Sequence, residues 1–565
     1  MRALHADTTG SLLPMAAISL TLLLLMAGAG VDFSRAYVTK TRLQAACDAG
    51  ALAGRRAVTT EGFNNAAEVV ANNYFDANFN PANEGLGNAQ VAFTSPDSGS
   101  TVVGNASGQM STYLLPFAGI DTIDVSANCT STMSVGNSDV TMVLDTTGSM
   151  RGSRIAALRT AMKNFYDTVA TATQGSNARI RYAFVPYSSS VNVGTLIRDV
   201  NPDFLRDDVD VQSRKPIFED ITGDGAWQLY SGNSYSKKKT CNNAKPDNTG
   251  TTSYRCTKYA KKDYRIEFST QTTTEQFTGF NYTQVNWDVS NYKTGGSLLY
   301  LNDSGNETST TWDGCIEERS TVVSNSFSYN SLTGYSPSGA TDLDIDTAPD
   351  VSDDNTKWSP MIGAVAYRRT DSRGNIRDVD ESTFGRNTGD LFYVCPNRAQ
   401  LLSTMSQGDF YDYADDLNTA GYTFHDIGAI WGGRLSSPDG IFANNVNEVP
   451  DNGGEVSRHM IFMTDGQMDA DNEVYTSYGI EFHDRRTTTN GAQNNAAHTA
   501  RFLAVCQAIR SKGIRLWVIA FGTGLTNDLR TCASNQSAFT AANASDLNEA
   551  FQEIAKQVGE LRITN

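Results

Sequence analysis

Five oxygen-bearing side chains, spread over three short segments, could together hold a hard divalent cation. Asp145, Thr147 and Ser149 fall in the run Asp145-Thr146-Thr147-Gly148-Ser149, Thr423 falls in Gly421-Tyr422-Thr423-Phe424, and Asp465 precedes Gly466. Carboxylates and hydroxyls are ligand types that Mg2+, Mn2+ or Ca2+ accept. Thr147 and Ser149 stand two apart, so an extended loop turns both hydroxyls to one side. Gly148 and Gly466 permit close backbone approach. Because the hydroxyls are neutral, the ion keeps unbalanced positive charge, and a carboxylate from a protein partner would complete its shell.

The elements that must position these groups are legible as apolar runs. Val140–Leu144 leads into the first segment and Met460–Met463 into the last. Apolar residues repeat at three and four through Ile155–Tyr166, which predicts a helix, and Arg179–Val185 predicts a strand. The alternation resumes late in the chain with helix Ala496–Ser511, strand Arg515–Phe521, a short strand near Phe539 and helix Ser545–Leu561. Strand–helix alternation with near-continuous apolar strands predicts an α/β, Rossmann-like parallel sheet with helices on both faces. Ligands bind such sheets at the carboxyl ends of the strands, near the point where strand order reverses, so Asp145 and Asp465 are expected to meet there.

Between about 200 and 420 the pattern breaks. The stretch is rich in Asn, Ser, Thr, Asp and Tyr, with Trp227, Trp287, Trp312 and Trp358 scattered through it. It reads as a long β-rich insertion with small cores of its own, since structureless loops of that length are uncommon. Ahead of residue 137 the plan differs again. Ser11–Val31 is an uncharged apolar run about long enough to span a bilayer. It is longer than the apolar part of a signal peptide and runs on into a helical pattern through Ala53, so a retained anchor is expected. Residues 86–136 alternate like short strands. The expected division is 1–136, a membrane anchor with a small pilin-like α+β part, and 137–565, the α/β domain with its insertion.

A net charge of -17 excludes general nucleic-acid binding, which needs a basic footprint. The eight cysteines include no Cys-x-x-Cys pair, so disulfides in an exported chain are expected instead of zinc. Cys241–Cys256, Cys506–Cys532 and Cys315–Cys395 are the expected pairs, with Cys47 and Cys129 left free. Arg35, Lys40 and Arg42 follow the apolar run and Arg2 precedes it, which by the positive-inside rule would hold the large domain in the cytoplasm. Long domains translocate despite flanking charge, and the cysteines suit an oxidising space, so the large domain is placed in the periplasm or outside the cell.

Asp-x-Thr-x-Ser, a distant Thr and a late Thr-Asp-Gly resemble the metal-ion-dependent adhesion site (MIDAS) of von Willebrand factor A domains. By that resemblance Thr147, Ser149 and Thr423 contact the metal through hydroxyls, and Asp145 and Asp465 act directly or through water. The family usually has Ser where Thr147 stands; the hydroxyl is kept, so altered packing is expected, with metal binding retained. Gly30–Tyr37, Leu43–Ala53 and Tyr422–Ser436 resemble TadE/TadG-like proteins of tight-adherence (Flp) pili. This implies an inner-membrane-anchored envelope protein that binds pilus or Tad secretion components and catalyses no turnover. A surface adhesin for host or matrix is the alternative use of the same fold. Asp145–Ser149 also superficially resembles the aspartyl-phosphate loop of haloacid-dehalogenase-like phosphatases, but Thr147 stands where a second acid is needed and no phosphate-neutralising Lys stands out. No Gly-x-Ser-x-Gly elbow accompanies the histidines, so His425 reads as a packing residue. The acids Asp342, Asp344, Asp346, Asp350 and Asp353 have near EF-hand spacing with Thr347 at the turn, and read as a solvated loop. Residues 237–265 are basic and read as a solubilising, disulfide-closed loop.

Overall fold

The uncharged run at the N-terminus becomes the first half of one long helix. The computed structural model describes residues 12–58, 63–96, 101–134, 136–174, 176–387, 389, 393–559 and 562–563; Arg2, Ser11 and Leu561 lie outside them. Helix α1 (Leu12–Arg56) has 45 residues, and at 1.5 Å each it is about 68 Å long. Its first half turns Met15, Ile18, Leu23, Leu24 and Met26 outward, and with a mean hydropathy of 1.9 it is long and apolar enough to cross a membrane. In its second half one face is buried through Leu43, Ala46, Cys47 and Ala51.

Helix α2 (Asn65–Asn78) starts where the Asn64 side chain accepts from the backbone N–H groups of Ala66 and Ala67, and it adds Ala71 and Phe75 to the same core. Strands β1 (Leu86–Thr94), β2 (Thr101–Ser111) and β3 (Thr122–Ser134) form an antiparallel sheet against these helices. In β2 buried and exposed residues alternate, as a sheet covered on one face requires. Cys47 on α1 is bonded to Cys129 on β3. The expectation that both stay free is therefore wrong. They stand 82 residues apart on a helix and a strand, and only tertiary packing brings them together.

The second unit begins at β4 (Asn137–Asp145), buried at all nine positions. There follow α3 (Ser153–Ala172), β5 (Ile180–Tyr187), β6 (Gln400–Ser403), α4 (Gln407–Asp416), α5 (His425–Ser436), β7 (Val456–Thr464), α6 (Asn495–Ser511), β8 (Arg515–Phe521), β9 (Ala538–Ala541) and α7 (Ala544–Gly559). The sheet order is β6-β5-β4-β7-β8-β9; β6 is antiparallel to β5 and every other pairing is parallel. Leu158 and Phe165 of α3 with Phe551 and Ile554 of α7 cover one face, and Ile427 and Trp431 of α5 with Phe502 and Ile509 of α6 cover the other. Each such side chain contributes about 1.5–3 kcal/mol by leaving water. Helix α5 is buried on all sides. It can lie this close because a Cβ at Gly428 would stand 2.6 Å from the Tyr187 ring and one at Gly432 would stand 2.4 Å from Val143 Cγ2.

Strand β6 comes from inside the stretch read as insertion, so the core sheet resumes at Gln400. Before it, Asp208–Asp224 pairs antiparallel with the Gln271–Asp288 part of strand Asp263–Asp288, whose first residues pair with Thr252–Ala260. The expected separate core exists around Val209, Val211 and Tyr292, but Ile316, Leu343, Ile345 and Trp358 belong to the core of the sheet itself. The Trp358 and Trp431 rings lie 5.4 Å apart. Beneath them Glu318 accepts from Trp431 Nε1 at 2.6 Å and Arg434 Nη1 at 2.8 Å. Cys241–Cys256, Cys315–Cys395 and Cys506–Cys532 are all formed. Asp350 and Asp353 are exposed, as a solvated loop requires, but the 342–346 part of the acidic run is held by the fold. Asp342 is fully buried against Arg501 and Tyr478, Asp344 accepts from the backbone of Asp346 and Thr347, and Asp346 pairs with Lys512 at 2.6 Å. Its cations come from α6 and the turn after it, more than 150 residues away in the chain.

Candidate metal centre

The sheet order reverses between β4 and β7, and both strands end in a carboxylate loop there. Asp145 closes β4, and Asp465 follows Thr464 at the end of β7. Asp145 Oδ1 accepts from the Thr147 backbone N–H at 3.0 Å and lies 2.6 Å from Thr147 Oγ1. Thr147 Oγ1 lies 2.8 Å from Ser149 Oγ, which lies 2.7 Å from Asp465 Oδ1. Four of the five expected ligands therefore form one unbroken chain of oxygens across the crevice.

Protons are too few for this chain. It contains three short oxygen–oxygen approaches, but its two hydroxyls supply two protons. With both carboxylates ionised, one approach has lone pairs facing lone pairs. An extra proton or a cation relieves that. Burial pushes Asp145 up to about 6, and the charge of Asp465 adds to the rise. Arg154 Nη1 reaches Asp465 Oδ2 at 2.5 Å, but its side chain is 39% exposed and can swing away. A hard cation fits this donor set: two acids held together, hydroxyl oxygens with spare lone pairs, and a displaceable counter-charge at the rim.

Thr423 enters through its backbone. The Gly148 N–H donates to Gly421 O at 3.0 Å and Ala420 N–H to Thr146 O at 2.9 Å, which docks its loop on the first segment. Thr423 is itself buried and pairs through its backbone with Asp469, four residues beyond Asp465. Gly421 has φ +85, a left-handed conformation that bends this loop toward Ser188 and Ser189.

Sequence reasoning missed the groups that orient the acids. Thr464 Oγ1 donates to Asp145 Oδ2 at 2.7 Å, so the His425 Nε2 that stands 3.0 Å from it must be the protonated ring nitrogen. Burial holds His425 down at about 4, so it is a neutral imidazole at pH 7. Ser189 Oγ accepts from the Tyr422 N–H at 3.0 Å, and Tyr187 OH lies 3.5 Å from Asp145 Oδ2. The run Ser188-Ser189-Ser190 directly after a strand was the available signal for the former. Asp313, Cys315 and Cys395 also cluster, but the two sulfurs form a disulfide and cannot serve as thiolate ligands.

A mostly parallel sheet in this order, helices on both faces and an acid–hydroxyl crevice at the reversal define a von Willebrand factor A-like fold. Residues 10–67 match the family model described as "Putative Flp pilus-assembly TadE/G-like", so the N-terminal segment is TadE/G-like. The match covers α1, the helix long and apolar enough to cross a membrane. Comparison with curated proteins gives no match. Among solved structures, the pilus adhesin SpaC from Lactobacillus rhamnosus GG is similar at TM-score 0.29 and 10% identity, over 83% of this chain and 34% of that one. Proximal thread matrix protein 1 from the mussel byssus gives TM-score 0.18 and 16% identity over 30% and 35% of the two chains. A structure of the same mussel protein with a zinc-occupied MIDAS motif gives 0.18 and 17% over 30% and 36%. This chain spans about a third of the length of each.

Proposed function

We propose that this chain is a membrane-anchored, metal-dependent protein-binding component of tight-adherence pilus assembly or anchoring. Asp145, Thr147, Ser149, Thr423 and Asp465 would hold Mg2+, or Mn2+ or Ca2+ in its place. The ion supplies a Lewis-acidic position that a partner's carboxylate can occupy. The residues of the chain do the rest: Thr464 and His425 fix the plane of Asp145, and Arg154 screens Asp465 until it is displaced. The pilus or Tad secretion machinery is the partner that the TadE/G-like N-terminus supports.

The observation that carries this reading is the proton shortage along Asp145–Thr147–Ser149–Asp465. Isothermal titration calorimetry of the full chain in detergent, with Mg2+ and then Mn2+, tests it. One site per chain is expected, lost in Asp145→Asn and Asp465→Asn. No heat at millimolar cation would sink the metal-dependent reading. Pull-down of pilus subunits in Mg2+ and in chelator then tests the partner, and capture that ignores the chelator would detach the metal from binding.

A further inference from the structure

Where the uncharged half of α1 ends, a loop from the neighbouring sheet is fastened to it. Asp32 is the first charged residue after the apolar run, and it is fully buried. Its Oδ1 accepts from the Tyr113 N–H at 3.0 Å, and its Oδ2 accepts from Leu114 at 2.9 Å and Leu115 at 3.0 Å. These groups open the 112–121 loop between β2 and β3. Thr112 Oγ1 donates to Ile120 O at 2.6 Å across the base of the loop, and Gly119 turns it at φ +80. The loop reaches past Asp32 toward the N-terminus of α1. Leu114 covers Gly28 so closely that a Cβ there would stand 2.7 Å from Leu114 Cβ. Gly28 is one helical turn, about 6 Å, nearer the apolar half than Asp32.

The loop carries its apolar groups outward. Tyr113–Ile120 has no charged residue, yet Phe117 is 84% exposed and Tyr113 68%, and Leu114 and Ile120 are both exposed as well. Arg35 lies over the Tyr113 ring at 4.0 Å. Aromatic rings beside basic side chains at the end of an apolar span are what a bilayer interface selects. On α1 itself Met26 and Val31, which flank Gly28 in the chain, are exposed too.

We propose that the 112–121 loop is a second membrane contact, an interfacial foot that sets Tyr113, Leu114, Phe117 and Ile120 into the headgroup–acyl boundary of the bilayer that α1 crosses. This rests on the reading of α1 as a retained span. The depth of one helical turn agrees with the roughly 5–10 Å to which interfacial apolar groups sink. With the foot planted, the small sheet and α2 hold a fixed height and rotation over the membrane.

The test uses the full chain in phosphatidylethanolamine–phosphatidylglycerol vesicles doped with nitroxide lipids. All eight native cysteines are in disulfides, so single added cysteines can carry a fluorophore: Phe117→Cys on the loop, Leu24→Cys in the span and Asn105→Cys on the exposed side of β2. The expected result is strong quenching at Leu24, quenching of about twofold at Phe117 by shallow nitroxides, and little at Asn105. Quenching at Leu24 with none at Phe117 overturns the foot and leaves the span. Protection of Phe117 from aqueous iodide without lipid quenching also overturns it, because a protein surface would then cover the loop. No quenching at Leu24 overturns the span, and the foot with it.

Discussion

Two buried carboxylate environments in this chain look alike in burial and differ in what they can bind. Asp32 has both oxygens held by three backbone N–H groups of one loop. Glu481 is held the same way by Arg486, Thr487 and Thr488. Those donors cannot leave without unfolding a turn, so both acids are structural. Asp145 and Asp465 are held largely by hydroxyls and by one half-exposed arginine, all of which can turn lone pairs inward or move aside. A buried acid thus becomes a candidate ligand when its donors are themselves possible ligands and its charge is incompletely matched.

That distinction can be broken in four places. The largest effect is expected at a structural acid: Glu318→Gln leaves Arg434 buried without its counter-charge, and chemical denaturation should read a loss of about 3–5 kcal/mol. At the candidate centre the sign reverses. Asp145 is held near 6, above its usual 3.8, so in chelator its contribution to stability is complete below pH 3.8 and lost as pH rises through about 6. The loss is up to about 3 kcal/mol, and Asp145→Asn should abolish it, melting higher than the parent at pH 7 without metal. A lower melting temperature would place Asp145 among the structural acids. Asp32→Ala should cost about 1–3 kcal/mol with no change in metal binding, because three backbone donors lose their acceptor. Smallest is Thr147→Ser, which keeps the hydroxyl; a change under about 1 kcal/mol and retained Mg2+ heat are expected, whereas Thr147→Val should lose the heat.

How much of this was legible depended on range. Val140–Leu144 and Met460–Met463 are apolar without alternation, which only a strand covered on both faces explains, and the acids directly after them fixed the crevice. How the Thr423 loop docks on the first segment was not legible, since backbone bonds that no side chain encodes hold it there. The role of Asp342 was illegible because its partner Arg501 lies on another element far along the chain. Cys47 and Cys129 hid for the same reason. Tyr113, Leu114 and Phe117 were not singled out within the 86–136 alternation, because Asp32, which holds that loop against α1, lies some eighty residues earlier.

The pairing of β4 with β7 joins Asn137 to Val456. A ribosome adds about 5–20 residues per second, so β4 is made roughly 15–60 s before its neighbour exists. During that interval β5 can cover one edge, but the other edge of a strand destined for full burial stays open to any extended chain. Export in that window therefore favours a chaperone that shields β4, and a stall inside the 200–400 stretch should yield aggregates seeded by that strand.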